Sequence, residues 1–503
     1  MRPARQRNWL MKRALKIAGV TIGVAALALL VLLMWPTPPA PLPPPGTDYL
    51  IRRVHIVDVE RGAAGPLTDV ELRGGRIHAI GSAAQGDGLP VIDGKGGWLV
   101  PAFWDMHMHS FHVSPELHLP LFVANGIVNV RDMMDCPGTR DTLIACLQDK
   151  RAWTRAADAG EMTSPRFVEI ASYYLEGPDV TPSDVSRLAL VYKHRGLDAL
   201  KVYDRLSRPA YFRAAEEARR HRLKLLGHLP KAVALDEAVR AGQVSIEHSD
   251  ALPRHCFAQA AAWREGKLAD VSPGALARRI VKEHDAEKCA VIFGQMRAAG
   301  TWLVPTHVTR EEDARSADPE FLADPRFEYL DPLSRWALRD DLGAVAARYP
   351  SADHKAALRA YFEHGRKLTG EAHRAGVGIL VGTDTTIGGF RYHDEMAHLV
   401  IAGLSAPEVL RAATIAAARY AGQEREAGSV AIGKRADLVL LRANPLEDIG
   451  NTRKIAALWM NGRHYDRVLL DSLLDYTREQ ARSPAITLKL ILGFARSSVQ
   501  SDL

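Results

Sequence analysis

The 503 residues predict an α/β protein: a (β/α)8 TIM barrel carrying a small β-sandwich domain built from both flanks, preceded by a transmembrane helix. Three observations lead there. Eight strand-like runs alternate with amphipathic segments through the middle of the chain. Short strand patterns punctuated by glycine lie on both sides of that middle. Near the start, a long apolar stretch follows a cluster of cations.

The cations come first. Lys and Arg number 65 against 59 Asp and Glu, a formal charge of +6. Arg2, Arg5, Arg7, Lys12, Arg13 and Lys16 precede the first acid, Asp48. Without those six the remaining 59 basic residues balance the 59 acidic ones, so no basic groove for nucleic acid is expected. Ile17 to Trp35 is apolar apart from Thr21. As a helix it would cover roughly 28 Å, close to the thickness of a hydrocarbon core. The positive-inside rule keeps the basic tail (1–16) cytoplasmic, makes 17–35 a signal anchor and places the rest in the periplasm or outside the cell. A cleaved signal peptide is the alternative, against which stands the stiff linker 36–46 with its seven prolines. An exported body suits disulfides, and Cys136 with Cys146 and Cys256 with Cys289 are the sequence-local pairings. Unpaired buried thiols are the other reading, because spacing alone does not fix connectivity.

From 47 to 98, runs such as IRRVHIVDV and VIDGKGGWLV read as strands around glycine turns, and the pattern returns over 428–470. These are the two parts of the small β domain. Between them, 99–427 forms the barrel, with strands at Val100–His109, Gly126–Met133, Arg166–Ser172, Ala199–Asp204, Leu223–His228, Val244–Ser249, Thr301–Val308 and Gly378–Asp384. Segments such as PAYFRAAEEARRHR carry apolar residues at helical spacing between them. The long stretches 250–300 and 309–377 are expected to add helices at the barrel mouth. REEDAR at 310–315 reads as a solvated helix face. A C-terminal extension, 471–503, includes ITLKLILGF, too short to span a membrane and expected to pack on the barrel.

Chemistry-bearing residues gather at the strand ends. In Asp105-Met106-His107-Met108-His109 the two histidines alternate with methionines, so they share one side of a strand. Lys201 lies in LKVYD, His228 closes LKLLGH, His248 falls in SIEHS and Asp384 closes LVGTD. Barrel enzymes place their sites at these C-terminal ends. One such histidine could be a hydrogen-bonded core residue, but imidazoles, a carboxylate and a lysine from five strands point to a metal centre. A lysine facing the barrel interior is costly as an ammonium. Burial lowers its pKa, and the neutral amine can add carbon dioxide to give an anionic carbamate. The alternative is a lysine that reaches water or pairs with Asp204.

The phrases WLVPAFWDMHMH, GIVNVRDM, LKVYD, GH at 227–228, EH at 247–248 and AGVGILVGTD occur in that order. HDEMAHLVIAGLSAPEVLRAATIAAARYAG and GSVAIGKRADLVLLRANPLEDI continue the series. Over about residues 50–465 this resembles the metal-dependent amidohydrolase superfamily, most closely its prolidase-like and imidazolonepropionase-like group. The resemblance implies two divalent metal ions, with zinc as the default. His107, His109 and Asp384 would hold one, His228 and His248 the second, and carboxylated Lys201 would bridge them. It implies a metal-dependent hydrolase acting on a C–N amide bond, with a metal-bridging hydroxide as nucleophile and Asp384 as general base and acid. The substrate would be a small molecule, a dipeptide or an N-acyl amino acid. A mononuclear deaminase or cyclic-amidine hydrolase, a lactonase or phosphotriesterase, and a catalytically idle surface binding protein are the alternatives. Phe103-Trp104 and ATIAAARYAG depart from the usual family phrases without removing a ligand.

Substrate contacts are expected from Tyr203, which shares a strand face with Lys201, and from His112 in the first loop. His307 at the end of strand seven and Arg131 at the end of strand two complete the set, with ordinary packing as the competing role for each.

Overall fold

The computed structural model describes residues 36–385 and 388–501, together with residues 9, 12–21, 23, 24, 27 and 31. Fifteen strands are described, numbered in chain order. β1 (Tyr49–Asp58), β2 (Ala63–Arg73), β3 (Arg76–Ile80), β4 (Val91–Asp93) and β5 (Trp98–Pro101) precede the barrel. β6 (Phe103–Met108), β7 (Ile127–Asp132), β8 (Arg166–Ile170), β9 (Ala199–Val202), β10 (Lys224–Gly227), β11 (Gln243–Glu247) and β12 (Trp302–Val304) belong to it. β13 (Leu438–Leu441), β14 (Ile455–Met460) and β15 (Arg463–Asp466) follow.

Every residue of β6 and β7 is buried, Asp105, His107, Asn129, Arg131 and Asp132 included, as for parallel strands covered on both faces. β6, β7 and β8 pair in parallel, as do β9, β10, β11 and β12. Parallel bridges from Ala171 to Ala199 and from Leu175 to Val202 join the two groups. Segment 379–384 is the eighth stave: Ile379 bridges Leu303, and Met106 N donates to Val381 O at 2.9 Å. These bonds close the ring.

Helices cover the outside with ordinary end signals. Pro182–Arg195 starts with the Thr181 hydroxyl accepting from the Asp184 amide and stops at Gly196, whose φ is +84°. Its buried face is Val185, Ala189 and Tyr192, spaced at helical intervals. The long stretches after β11 and β12 do hold additional helices, including His307–Ala314, Pro332–Arg348 and Ala352–Arg374.

The flanking strands hydrogen-bond into one eight-stranded sheet rather than the two separate sheets of a sandwich, in the order β15-β14-β13-β5-β1-β2-β3 with β4 on β1. The reason lies in β1. Arg53, at φ +57°, interrupts the strand, so Leu50–Arg52 pair with β4 and His55–Ile56 pair with β5. β5 then meets β13 antiparallel, which is where the two ends of the chain join. The expected strand Val100–His109 accordingly divides. Its start belongs to β5 and this sheet, and after Pro101 the chain crosses into β6 of the barrel.

Both sequence-local disulfides form, Cys136–Cys146 and Cys256–Cys289. The C-terminal helix Pro484–Arg496 packs through Ile486 and Leu490 against Val113 and Leu117.

The N-terminal anchor is a correction. Among the described residues, no helix is long and apolar enough to cross a membrane. Residues 12–21 are helical and include Lys12, Arg13 and Lys16. Residues 22, 25, 26, 28–30 and 32–35 of the expected span lie outside the described residues. The transmembrane helix and the anchored location inferred from it are therefore not supported.

Candidate metal and active site

Four imidazoles and a carboxylate meet where β6, β10, β11 and segment 379–384 end. His109 Nε2 lies 3.1 Å and His107 Nε2 3.5 Å from Asp384 Oδ1, while His248 Nε2 lies 3.7 Å from Asp384 Oδ2. His228 Nε2 and His248 Nε2 are 3.0 Å apart. Of the expected ligands, His107, His109 and Asp384 present ligand atoms within 4.8 Å of one another.

The opposite nitrogens say which way the rings face. His107 Nδ1 donates to Glu247 Oε2 at 2.9 Å, and His228 Nδ1 donates to Asp204 Oδ1 at 2.9 Å. His248 Nδ1 is tied to Thr306 Oγ1 at 2.7 Å. An imidazole that donates from Nδ1 presents a lone pair at Nε2. Burial lowers the pKa of His107 to about 4, which keeps that lone pair free near neutral pH. His107 Nε2 is buried without a hydrogen-bond partner among the described residues. Lone pairs gathered around a carboxylate, with the rings of His107, His228 and His248 fixed from behind, form a donor set suited to a divalent cation.

Two glycines allow this approach. A Cβ on Gly382 would sit 2.9 Å from both the Cβ and the backbone nitrogen of His107, so the glycine of LVGTD lets the eighth stave lie against β6. A Cβ on Gly227 would lie 2.4 Å from Val202 O and 3.1 Å from Lys201 Cγ. The backbone is also strained at the ligands: His248, Thr306 and Asp384 have φ of +70°, +43° and +49°. Asp384 is held there by its own amide, which donates to His107 O at 2.7 Å.

Lys201 is buried on β9, with Nζ 5.6 Å from the centre of the Tyr203 ring. Burial lowers its pKa, against the pull of Asp384, Glu247 and Asp132. Tyr203 in turn packs on His228 with ring centres 3.9 Å apart.

The remaining sequence candidates lie elsewhere. Arg131, expected at a substrate anion, is fully buried beneath the site. Both Glu247 oxygens accept from its Nη2 at 2.8 Å, and its Nη1 bonds Ser245 Oγ and Tyr420 Oη. It braces the barrel instead. His307 does not end a strand. Thr306, in the left-handed region, breaks the chain after β12, and His307 opens the next helix, fully buried between Glu395 and Thr369. His112 is exposed and bonds Asp141 O through Nε2 at 2.9 Å. The helix carrying REEDAR is not a solvated face. Glu311 pairs with Arg391, and the Thr309 hydroxyl donates to Asp384 O at 3.0 Å, which docks the helix on the eighth stave.

Sequence reading overlooked Glu247 and Asp105. Glu247 stood in the EH phrase, next to the histidine that was read. Burial by itself would raise its carboxyl, but Arg131 and the His107 hydrogen bond outweigh that and bring it down to about 2. Asp105 accepts from the Thr383 hydroxyl at 2.6 Å and from the His107 and Thr383 amides, both at 3.1 Å, joining the first stave to the eighth. Its place two residues before His107 was the available signal.

Glu247→Gln has a definite expected outcome. It leaves Arg131 buried with half its counter-charge and weakens the orientation of His107, so zinc affinity falls about 10–100-fold. The carboxyl's pKa is depressed on folding, so its contribution to stability is present above about 4.5 and is lost as pH falls toward 2. The variant should therefore unfold more readily at pH 7 and lose part of the acid-induced slope, read by denaturant titration at pH 7 and pH 3. Unchanged zinc affinity together with an unchanged slope would discard this role.

Two cavities adjoin these residues, one at His109 and Asp384 and the other at His228 and His248. One, of about 320 Å³, is lined by Met108, Phe111, Phe122, Met134 and Leu338 beside His109 and Asp384. The other, of about 350 Å³, is polar and includes Tyr203, His228, His248, Arg254, Arg310 and Arg348.

The profile of the Amidohydrolase family matches residues 206–464, just over half of the chain. The chain belongs to the amidohydrolase family. A curated relative, the N-acyl-D-aspartate deacylase of Alcaligenes xylosoxydans xylosoxydans, is 39% identical over 92 residues. That match covers 17% of this chain and 18% of the deacylase. Among solved structures, a bottromycin amidohydrolase superposes with a TM-score of 0.65 at 24% identity, covering 87% of this chain and 91% of its own. A Xaa-Pro dipeptidase with bound methionine superposes at 0.59 and 18% identity, over 83% of this chain and 100% of its own. At these identities the superpositions show the amidohydrolase fold.

Proposed function

We propose that this amidohydrolase cleaves the C–N amide bond of a dipeptide or an N-acyl amino acid, with two divalent cations, zinc by default, at the strand ends. The observation that carries the reading is the convergence of the His107, His109 and His248 Nε2 atoms on the Asp384 carboxylate, with His107 and the neighbouring His228 held from behind by carboxylates. In this reading His107, His109 and Asp384 hold one cation, His228 and His248 the other, and a carbamate on Lys201 joins them. The carbamate forms when the neutral amine attacks carbon dioxide, making an N–C bond and releasing one proton. When bound, the cations supply Lewis acidity toward a carbonyl oxygen and toward water.

The side chains then have separate tasks. Asp384 accepts the proton of the attacking water and returns it to the departing amine nitrogen. The nearness of His109 and His248 keeps its carboxylate charged at neutral pH. Tyr203, lining the polar cavity, orients the substrate carbonyl or carboxylate. The apolar cavity excludes water from one side of the amide. The names of the relatives, a deacylase of N-acyl amino acids and a dipeptidase, support the same class.

The test is a screen of the zinc-loaded full chain against dipeptides and N-acyl amino acids, read by release of free amine. Hydrolysis that stops on chelation and returns with zinc is expected. No release from either library at two zinc ions per chain would reject the reading.

A further inference from the structure

The polar cavity holds three guanidiniums from three different elements. Arg254 comes from helix Ala251–His255, just after the ligand His248. Arg310 comes from helix His307–Ala314, one residue after the Thr309 that bonds Asp384 O. Arg348 ends helix Pro332–Arg348. Arg254 pairs with Asp250 at 2.6 Å and also hydrogen-bonds Tyr361, while Arg310 pairs with Asp313 at 2.9 Å. A guanidinium has five N–H donors and one carboxylate takes at most two, so donors remain for a ligand. Arg310 Nε is buried with no hydrogen-bond partner among the described residues. Arg348 is exposed at the cavity mouth and makes no ion pair among them. The carboxylates in the same wall are already engaged, Asp204 by His228 and Glu247 by Arg131 and His107.

The apolar cavity has the reverse character. Its wall of methionine, phenylalanine and leucine has Asp341 exposed at the rim. Deep against that wall an ammonium would lose its hydration and meet only Asp384, already engaged by imidazoles, because Asp341 lies at the exposed rim, whereas a neutral acyl chain gains from the same burial. Asp384 lines the apolar cavity with Oδ1 toward His109, and its Oδ2 faces His248, which lines the polar one.

We infer that Arg310, with Arg254 and Arg348, forms a carboxylate subsite, and that the substrate is an N-acyl amino acid. Its uncharged apolar acyl group fills the cavity beside His109, and its carboxylate meets the arginines on the leaving-amine side. This inference rests on the amide-hydrolase reading and narrows it: a free dipeptide would bring an ammonium to the apolar wall.

The test uses N-hexanoyl-alanine, both enantiomers, its neutral carboxamide and the dipeptide leucyl-alanine. Binding to zinc-loaded Asp384→Asn protein is measured by calorimetry, and kcat/KM is measured on the wild type. The acid should bind about ten- to a hundredfold tighter than the carboxamide. Arg310→Gln should bring that ratio toward one and raise KM more than it lowers kcat. Arg348→Gln, on an exposed side chain, should reduce the same ratio and serves if Arg310→Gln does not fold. A ratio near one in the wild-type background, or one untouched by both arginine variants, overturns the subsite, the latter placing the carboxylate on zinc. A preference for leucyl-alanine overturns the acyl assignment. Arginine-dependent binding without hydrolysis of any amide leaves the subsite standing and removes the hydrolase reading, so the two fail separately.

Discussion

Asp384→Asn should lower kcat for amide hydrolysis by about 10²–10⁴-fold, the usual loss on removing a general acid–base group. The substitution keeps the shape of the side chain and takes away its charge and its ability to carry a proton between water and amine. Asp384 is also a ligand, so rate alone would not separate the two roles. Metal content separates them. His107, His228 and His248 remain, each fixed through its own partner, together with His109, and zinc should fall by less than the activity does. The wild-type rate should persist toward acid pH, because Asp384 is held well below the ordinary carboxylate range. Burial opposes that, and His107, His109 and His248 outweigh it. Activity that survives in a metal-replete Asp384→Asn enzyme would remove the carboxylate from the chemistry.

The sequence announced the barrel because parallel strands need helical crossovers, and strand-like runs such as β6, β7 and β9 alternate with amphipathic segments. It was less informative where pairing depends on one backbone torsion. The left-handed turn at Arg53 moves β1 from β4 to β5 and joins the flanks into one sheet, and no periodicity marks it. Thr306 likewise ends β12 early and turns His307 from a strand terminus into a buried helical residue. At the N-terminus, composition described an apolar stretch with a basic flank, but the described helical residues keep three cations and do not attain a spanning length.

In the site, the histidines and Asp384 were legible as residue types at strand ends. Their supports were not, because they arrive from distant sequence. Glu247 reaches His107 across the barrel, and Arg131 lies beneath Glu247 rather than beside a substrate. An isolated arginine at a strand end carries no sign of which way it points. The acidic and basic run at 310–315 misled for the same reason: its charge pattern fits a wet surface, and only docking on the eighth stave turns Arg310 toward the ligands.

Lys201→Ala should reduce bound zinc from two ions per chain to one or fewer, and activity by about 10²-fold or more, given that even supporting residues around a metal cost 10–100-fold. An ammonium in the barrel interior would repel both cations, so the native lysine can coexist with them only as a neutral amine or as an anion. Burial lowers the amine's pKa and makes the neutral form accessible. Addition of carbon dioxide then supplies a negative charge with two oxygens, which in the proposed centre would join the cation of His107 and His109 to that of His228 and His248. Alanine removes that charge together with a fully buried side chain, so denaturant unfolding of the metal-free wild type and variant is compared to separate lost chemistry from lost structure. Propionate added to Lys201→Ala should restore part of both zinc binding and activity, and wild-type protein prepared without carbon dioxide should load poorly until bicarbonate is supplied. Two tightly bound zinc ions in the alanine variant would rule out the bridge and favour a centre built from imidazoles and Asp384 alone.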